Sequence, residues 1–173
     1  METIRRSFLK AGALAALVLA AGGGLYRMTR PSQAQPFILD GEARAALDAI
    51  VPALLAGALP GDPRQRAQAI ATAIDRVHQA ILGLPLATQK EIQDLFGLLA
   101  LPPARRLLAG VTPAWSDARE DEVAAFLQDW RSHGLALLRT AYQALHDLVL
   151  GAWYADPAHW AAIGYPGPPE ALS

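Results

Sequence analysis

The stretch LALLRTAYQALHDLVLGA, residues 135–152, contains the clearest helical pattern in the chain. Its apolar residues recur at intervals of three and four, which places them along one face of an α-helix. Gly134 precedes the stretch and could bend the chain or separate two helices, and an aromatic, proline-rich segment follows it. The pattern predicts a helix with one buried face, formed by Leu135, Leu138, Tyr142, Leu145, Val149 and Ala152.

Similar patterns fill the chain upstream, and no segment shows the apolar–polar alternation of a strand. Asp40 is a predicted N-cap for a first helix, which Pro52 should bend or split. The proline-rich break at 59–63 precedes a predicted helix over about residues 64–82.

Capping patterns predict where two later helices begin. Thr88 and Glu91 form a capping-box pattern, and Ser116 or Asp117 should cap a helix whose buried side ends at Trp130. Between them, a short helix should contain Leu107 and Leu108. We therefore predict an all-α fold, an irregular or orthogonal bundle of about five to six helices with an extended C-terminal tail at 153–169.

The chain begins with a charged segment followed by 16 uncharged residues, 11–26. That run contains three consecutive glycines and is short for a hydrocarbon core of about 30 Å, which takes about 20 apolar residues to cross. The pattern R-R-x-F-L-K resembles the twin-arginine (Tat) signal, which exports proteins already folded. The residues of this export signal are Arg5, Arg6, Phe8, Leu9 and Lys10.

Small residues at Ser32 and Ala34 predict cleavage after Ala34. The chain then divides into a signal peptide at 1–34 and a single helical domain at 35–173, with the Tat translocase as a transient partner. The expected location is the periplasm. Retention as an uncleaved anchor, or membrane association through a complex, stays open.

Composition excludes several function classes. Residues 35–173 contain ten basic and fifteen acidic side chains, a formal net charge of −5, which argues against nucleic-acid binding. The chain has no cysteine, which excludes thiol catalysis, cysteine-ligated iron–sulfur clusters and c-type haem attachment.

The histidines and carboxylates form no pattern typical of catalysis. No metal-binding pair or nucleophile motif occurs, and residues 120–122 are typical of a solvated helix start. We therefore expect no catalytic, cofactor-binding or metal-binding residue in this chain. The four histidines, His78, His133, His146 and His159, are the only candidates for chemistry at neutral pH, and a small metalloenzyme would need a metal held by His146 or His159.

The tail at 153–169 has two interpretations. Its rings could close the chain's own core, or they could dock on a partner, where tryptophan and tyrosine often dominate binding. The candidate partner-binding residues are Trp130, Trp153, Tyr154, Trp160, Tyr165, Pro166 and Pro168.

The pattern W-Y-x-D-P-x-x-W-x-x-I-G-Y-P-G-P-P, residues 153–169, resembles the C-terminus of the small subunit of gluconate 2-dehydrogenase. Residues 37–52 and 126–131 agree with the same family, although Ala53-Leu54-Leu55 departs from the acidic residue usual after its proline. The resemblance implies a non-catalytic subunit that binds a large flavin (FAD) dehydrogenase of the glucose–methanol–choline type. It also implies that this chain aids the folding of the large subunit and carries it through the Tat pathway.

In such complexes the large subunit oxidises a sugar, sugar acid or other alcohol. A multihaem cytochrome c subunit, with haem c, often accepts the electrons.

The alternative to this dehydrogenase subunit is a stand-alone, Tat-exported helical binding or scaffold protein.

Overall fold

The computed structural model of the chain describes residues 35–167. Every regular element in this range is helical and none is a strand, which confirms the predicted all-α class. Five helices longer than one turn occur in it: α1 (Gly41–Leu54), α2 (Pro63–Leu82), α3 (Leu86–Ala100), α4 (Glu120–Ser132) and α5 (Ala136–Tyr154). None of these described helices is long and apolar enough to cross a membrane.

Helix α1 occupies the centre of the bundle and packs against each of the other four helices. Ala43 and Ala46 are buried and small, so neighbouring helices can approach closely, while Leu47, Ile50 and Val51 fill the core. The Asp40 carboxylate accepts a hydrogen bond from the Ala43 backbone N–H at 2.8 Å, which confirms the predicted N-cap.

Pro52 lies inside α1, and the helix continues past it to Leu54. A proline at this position removes the donor for the carbonyl of Asp48. Asp48 is exposed, so water can hydrate that carbonyl. The proline is therefore tolerated near the end of the helix, and the predicted split does not occur.

Helix α2 begins at Pro63, with Asp62 accepting hydrogen bonds from the backbone of Arg64 and Gln65. Helix α3 begins at Leu86, so the predicted capping box at Thr88 is wrong. Pro85 is extended, and its carbonyl already accepts the Gln89 backbone N–H at 3.0 Å. The first α-turn therefore forms two residues before Thr88.

Between α3 and α4 the chain forms three short elements. A single α-turn at Pro102–Ala104 continues into a π-helix at Arg105–Ala109, which Gly110 ends at φ +66°. The predicted short helix around Leu107 is therefore present in π form. A 3₁₀ turn at Trp115–Asp117 follows.

The predicted N-cap at Ser116 or Asp117 is wrong, because both residues lie in that 3₁₀ turn. The buried Trp115 anchors the turn by donating its indole N–H to the Leu99 carbonyl at 3.0 Å. The chain then runs extended to Arg119, whose backbone N–H donates to the Glu122 carboxylate at 3.1 Å as α4 begins.

The buried side of α4 ends at Trp130, as predicted, and the predicted apolar face of α5 is confirmed almost completely. Of the six residues predicted for the face of α5, only Leu135, which precedes the helix, is exposed, and Tyr142 is half-buried. The buried residues of these two helices are Val123, Phe126, Leu127, Trp130, Leu138, Leu145, Val149, Ala152 and Trp153.

Candidate interaction surface

Residues 155–167 fold back as a cap on the end of α5, which corrects the predicted extended tail at 153–169. Trp153 and Tyr154 belong to the last turn of α5, and two 3₁₀ turns follow at Pro157–His159 and Ala161–Ile163. The Asp156 carboxylate accepts the Ala158 backbone N–H at 2.9 Å and so caps the first of these turns. An aspartate before a proline satisfies this geometry because proline needs no hydrogen-bond acceptor.

The indole of Trp153 is buried beneath the cap. The His159 imidazole stacks on it, with ring centroids 3.6 Å apart and planes 2° from parallel. His159 Nδ1 lies 2.7 Å from the Trp153 carbonyl oxygen. Since a carbonyl only accepts, Nδ1 carries the proton, and this hydrogen bond holds the ring in its stacked position.

Trp160 is held in a similar way by the same end of α5. Its indole N–H donates to the Tyr154 carbonyl at 2.7 Å, and its ring meets that of Tyr165 edge to face at 5.2 Å. Tyr165 and Ile163 keep 45% and 54% of their surfaces exposed. The inner rings thus close the chain's own fold, while the outer edge of the cap presents apolar surface.

An ion pair joins the cap to helix α2. The Arg76 guanidinium lies 2.6 Å from the Asp156 carboxylate. The pKa of Asp156 is lowered, first by the hydrogen bond from the Ala158 backbone and then by that from Arg76. The carboxylate therefore stays charged, and the cap and α2 are held together at neutral pH.

A groove open to solvent separates α2 from the cap. It has a volume of about 470 Å³, and a second groove of about 410 Å³ shares Thr72 and Arg76 with it. The first groove is lined by Arg64, Gln65, Gln68, Ala69, Thr72, Ala73, Arg76, Trp153, Asp156 and His159.

The remaining histidines lie apart from one another. His78 packs against the Phe37 ring, His133 follows α4, and His146 lies beside Asp147 in α5. The pKa of Asp147 is lowered, chiefly by the hydrogen bond from His146. Within residues 35–167, no three metal-ligating side chains come close enough to hold an ion.

Trp130 lies in the core of the bundle and not at its surface. The side chain is 1% exposed, its indole N–H donates to the Leu108 carbonyl at 2.7 Å, and Phe126 meets it edge to face at 5.0 Å. Trp153 is buried as well, so these two rings are corrected from candidate partner contacts to core residues. Tyr154 is half-buried, and Tyr165 and Pro166 are exposed.

The other predicted residues lie outside the described range. These are the export-signal residues Arg5, Arg6, Phe8, Leu9 and Lys10, the cleavage residue Ala34, and Pro168.

Two buried polar residues were missed in the sequence. Gln89 is 3% exposed, and its amide accepts from the Phe37 backbone N–H at 2.9 Å while donating to the carbonyls of Leu82 and Leu84. Arg105 is 6% exposed, and its Nε has no hydrogen-bond partner within the described part of the chain. Neither has a sequence signal: Gln89 looks like an ordinary helix residue, and Arg105-Arg106 looks like a surface pair.

Comparison of the chain with protein-family models, with curated proteins and with solved structures finds no match.

Proposed function

We propose that this chain is the non-catalytic small subunit of a periplasmic flavoprotein dehydrogenase complex. In this proposal it binds a large FAD-containing subunit of the glucose–methanol–choline type, aids its folding and carries it through the Tat pathway. The large subunit would oxidise a sugar, a sugar acid or another alcohol, and in some complexes a multihaem cytochrome c would accept the electrons. This chain would contribute binding surface.

The observation that most supports the proposal is the predicted signal peptide at 1–34. Arg5 and Arg6 begin a complete R-R-x-F-L-K pattern, and a pathway for folded cargo suits a protein that crosses with a partner already bound. The C-terminal pattern at 153–169 supports the same conclusion through its family resemblance. The exposed edge of the cap, at Ile163 and Tyr165, supplies apolar surface of the kind that protein partners cover.

The test is to replace Arg5 and Arg6 together by lysine in cells that produce both subunits. This change keeps the charge but removes the twin-arginine pattern. We expect both this chain and the flavin-containing protein to disappear from the periplasm. The matched control replaces Arg27 and Arg30 by lysine, outside the pattern, and should leave export unchanged. A flavoprotein that reaches the periplasm at its normal level in the first variant would contradict the proposal.

A stand-alone exported scaffold is the second candidate, and one observation favours it. The Trp153 ring is buried against His159, and the Trp160 indole N–H donates to the Tyr154 carbonyl, as expected of a fold that needs no partner to be complete. Purification separates the two candidates. A subunit elutes with a yellow, flavin-containing protein in fixed stoichiometry, whereas a scaffold elutes alone and colourless.

A further inference from the structure

A non-helical strap, residues 37–39, precedes helix α1 and is bound to helix α3 by two glutamine side chains. The Phe37 backbone N–H donates to Gln89 Oε1 at 2.9 Å, and the Ile38 N–H donates to Gln93 Oε1 at 2.8 Å. Gln89 and Gln93 are four residues apart, so they lie on the same face of α3. The two amides therefore hold the backbone of the strap on that face.

The Phe37 ring anchors the strap in the core. It is 3% exposed, and it meets the His78 imidazole at a centroid distance of 5.8 Å and the Phe96 ring at 6.0 Å. Gln35 and Pro36, which precede the strap, are both exposed. The chain therefore passes from solvent into the core between two consecutive residues, Pro36 and Phe37.

The strap begins two residues after the predicted cleavage site at Ala34. A protease binds its substrate as an extended chain on both sides of the bond that it cuts, and two extended residues span about 7 Å. When the strap detaches, the free chain reaches to Asp40, the N-cap of α1, and its five residues span about 17 Å. Detachment therefore gives a protease the room that the docked strap denies it.

We propose that the docked strap slows removal of the signal peptide, and that the bond after Ala34 is cut in the fraction of molecules whose strap has detached. Detachment is a local unfolding step, and cleavage follows the population of the open form when opening and closing are fast. The folded chain then keeps its signal peptide for longer. This inference needs the predicted cleavage site but not the flavoprotein partner, so it can fail without the proposed function.

The test measures how fast bacterial signal peptidase cleaves the purified full chain in detergent micelles, with the products identified by mass spectrometry. Gln93→Leu removes the acceptor of the Ile38 N–H from a half-buried position of α3. It should accelerate cleavage about fivefold, the change in open population that the loss of one hydrogen bond produces. Gln128→Leu, at an exposed position of α4, is the matched control and should leave the rate unchanged.

An insertion of Gly-Ser-Gly-Ser between Pro36 and Phe37 provides a second test that keeps both the strap and the residues next to the cut bond. It lengthens the free spacer to six residues, about 20 Å, so cleavage should become fast with the strap still docked. Adding Gln93→Leu to the insertion should then give no further acceleration.

Hydrogen exchange measures detachment of the strap without any protease. In the folded chain, Gln93→Leu should accelerate exchange of the Ile38 amide about fivefold, and Gln128→Leu should not change it. The thermal midpoint of each variant shows whether the rest of the fold is kept.

Equal cleavage rates for the wild-type chain, Gln93→Leu and the insertion would overturn the proposal. An insertion chain that stays uncleaved would overturn it as well, because the site itself and not the strap would then prevent removal. Neither result bears on the flavoprotein partner, which the replacement of Arg5 and Arg6 tests separately.

Discussion

Replacing Trp130 by phenylalanine tests whether this indole stabilises the chain itself. The indole is 1% exposed, and its N–H is the donor for the Leu108 carbonyl at 2.7 Å. Loss of that donor costs about 1–2 kcal/mol, since a partly buried carbonyl is left unpaired. The smaller ring leaves a void beside Phe126 and costs about 1–2 kcal/mol more. We expect the free energy of unfolding to fall by about 2–4 kcal/mol.

Urea denaturation of the purified chain, followed by circular dichroism at 222 nm, measures this loss. With a denaturant slope of about 2 kcal/mol per molar urea, the middle of the usual range, the unfolding midpoint should fall by about 1–2 M. The control is Tyr165→Phe, which removes a hydroxyl from an exposed ring and should not move the midpoint measurably. An unchanged midpoint for Trp130→Phe would refute the assignment of this ring to the core and return it to the candidate partner surface.

Three further changes test other parts of the fold. Gln89→Leu leaves the Phe37 N–H without its acceptor, so unfolding should become about 1–3 kcal/mol easier, and limited proteolysis near Phe37 should accelerate. Gly110→Ala forces a side chain into the left-handed region at φ +66°, which should lower the free energy of unfolding by about 1–2 kcal/mol in urea titrations. The pKa of Asp156 is lower in the folded chain than in the unfolded one, so the ionised carboxylate stabilises the fold. This contribution to the free energy of unfolding is complete above about pH 4 and is lost as the pH falls through the folded pKa. Asp156→Asn should therefore flatten the acid limb of a stability–pH profile, and an unchanged profile would refute a stabilising role for the Asp156 carboxylate, which pairs with the Ala158 backbone and with Arg76.

The helices were predictable because each buries one face of a regular apolar pattern. That pattern is a property of the residues themselves, so α5 has its buried positions where the sequence indicates, and α4 buries Trp130 at the predicted end of its buried side. The position of α1 at the centre was not predictable. Its faces are rich in alanine, and only the assembled bundle shows that every other helix packs on it.

The wrongly predicted helix starts lie where a local capping pattern is overridden by a neighbouring hydrogen bond or by the burial of a neighbouring side chain. Thr88 resembles a cap, but Pro85 and the Gln89 N–H had already formed the first turn. Ser116 resembles one too, but the burial of Trp115 directs the chain into a 3₁₀ turn. The tail differs from the prediction for another reason: its prolines predict an extended segment, but the Asp156-Pro157 pair is itself a capping pattern, and it begins a 3₁₀ turn.

Arg105 and Arg106 show most sharply what a sequence leaves undetermined. Two identical residues stand side by side, yet the first is buried and the second exposed, and only the course of the π-helix separates them. Of the Arg105 guanidinium, only Nε is buried without an acceptor in the described part of the chain. The burial of this arginine follows from its register in the π-helix, which turns Arg105 toward the core and Arg106 toward solvent. No pattern of neighbouring residues in the sequence indicates that register, because a π-helix is rare and its period differs from that of the α-helix.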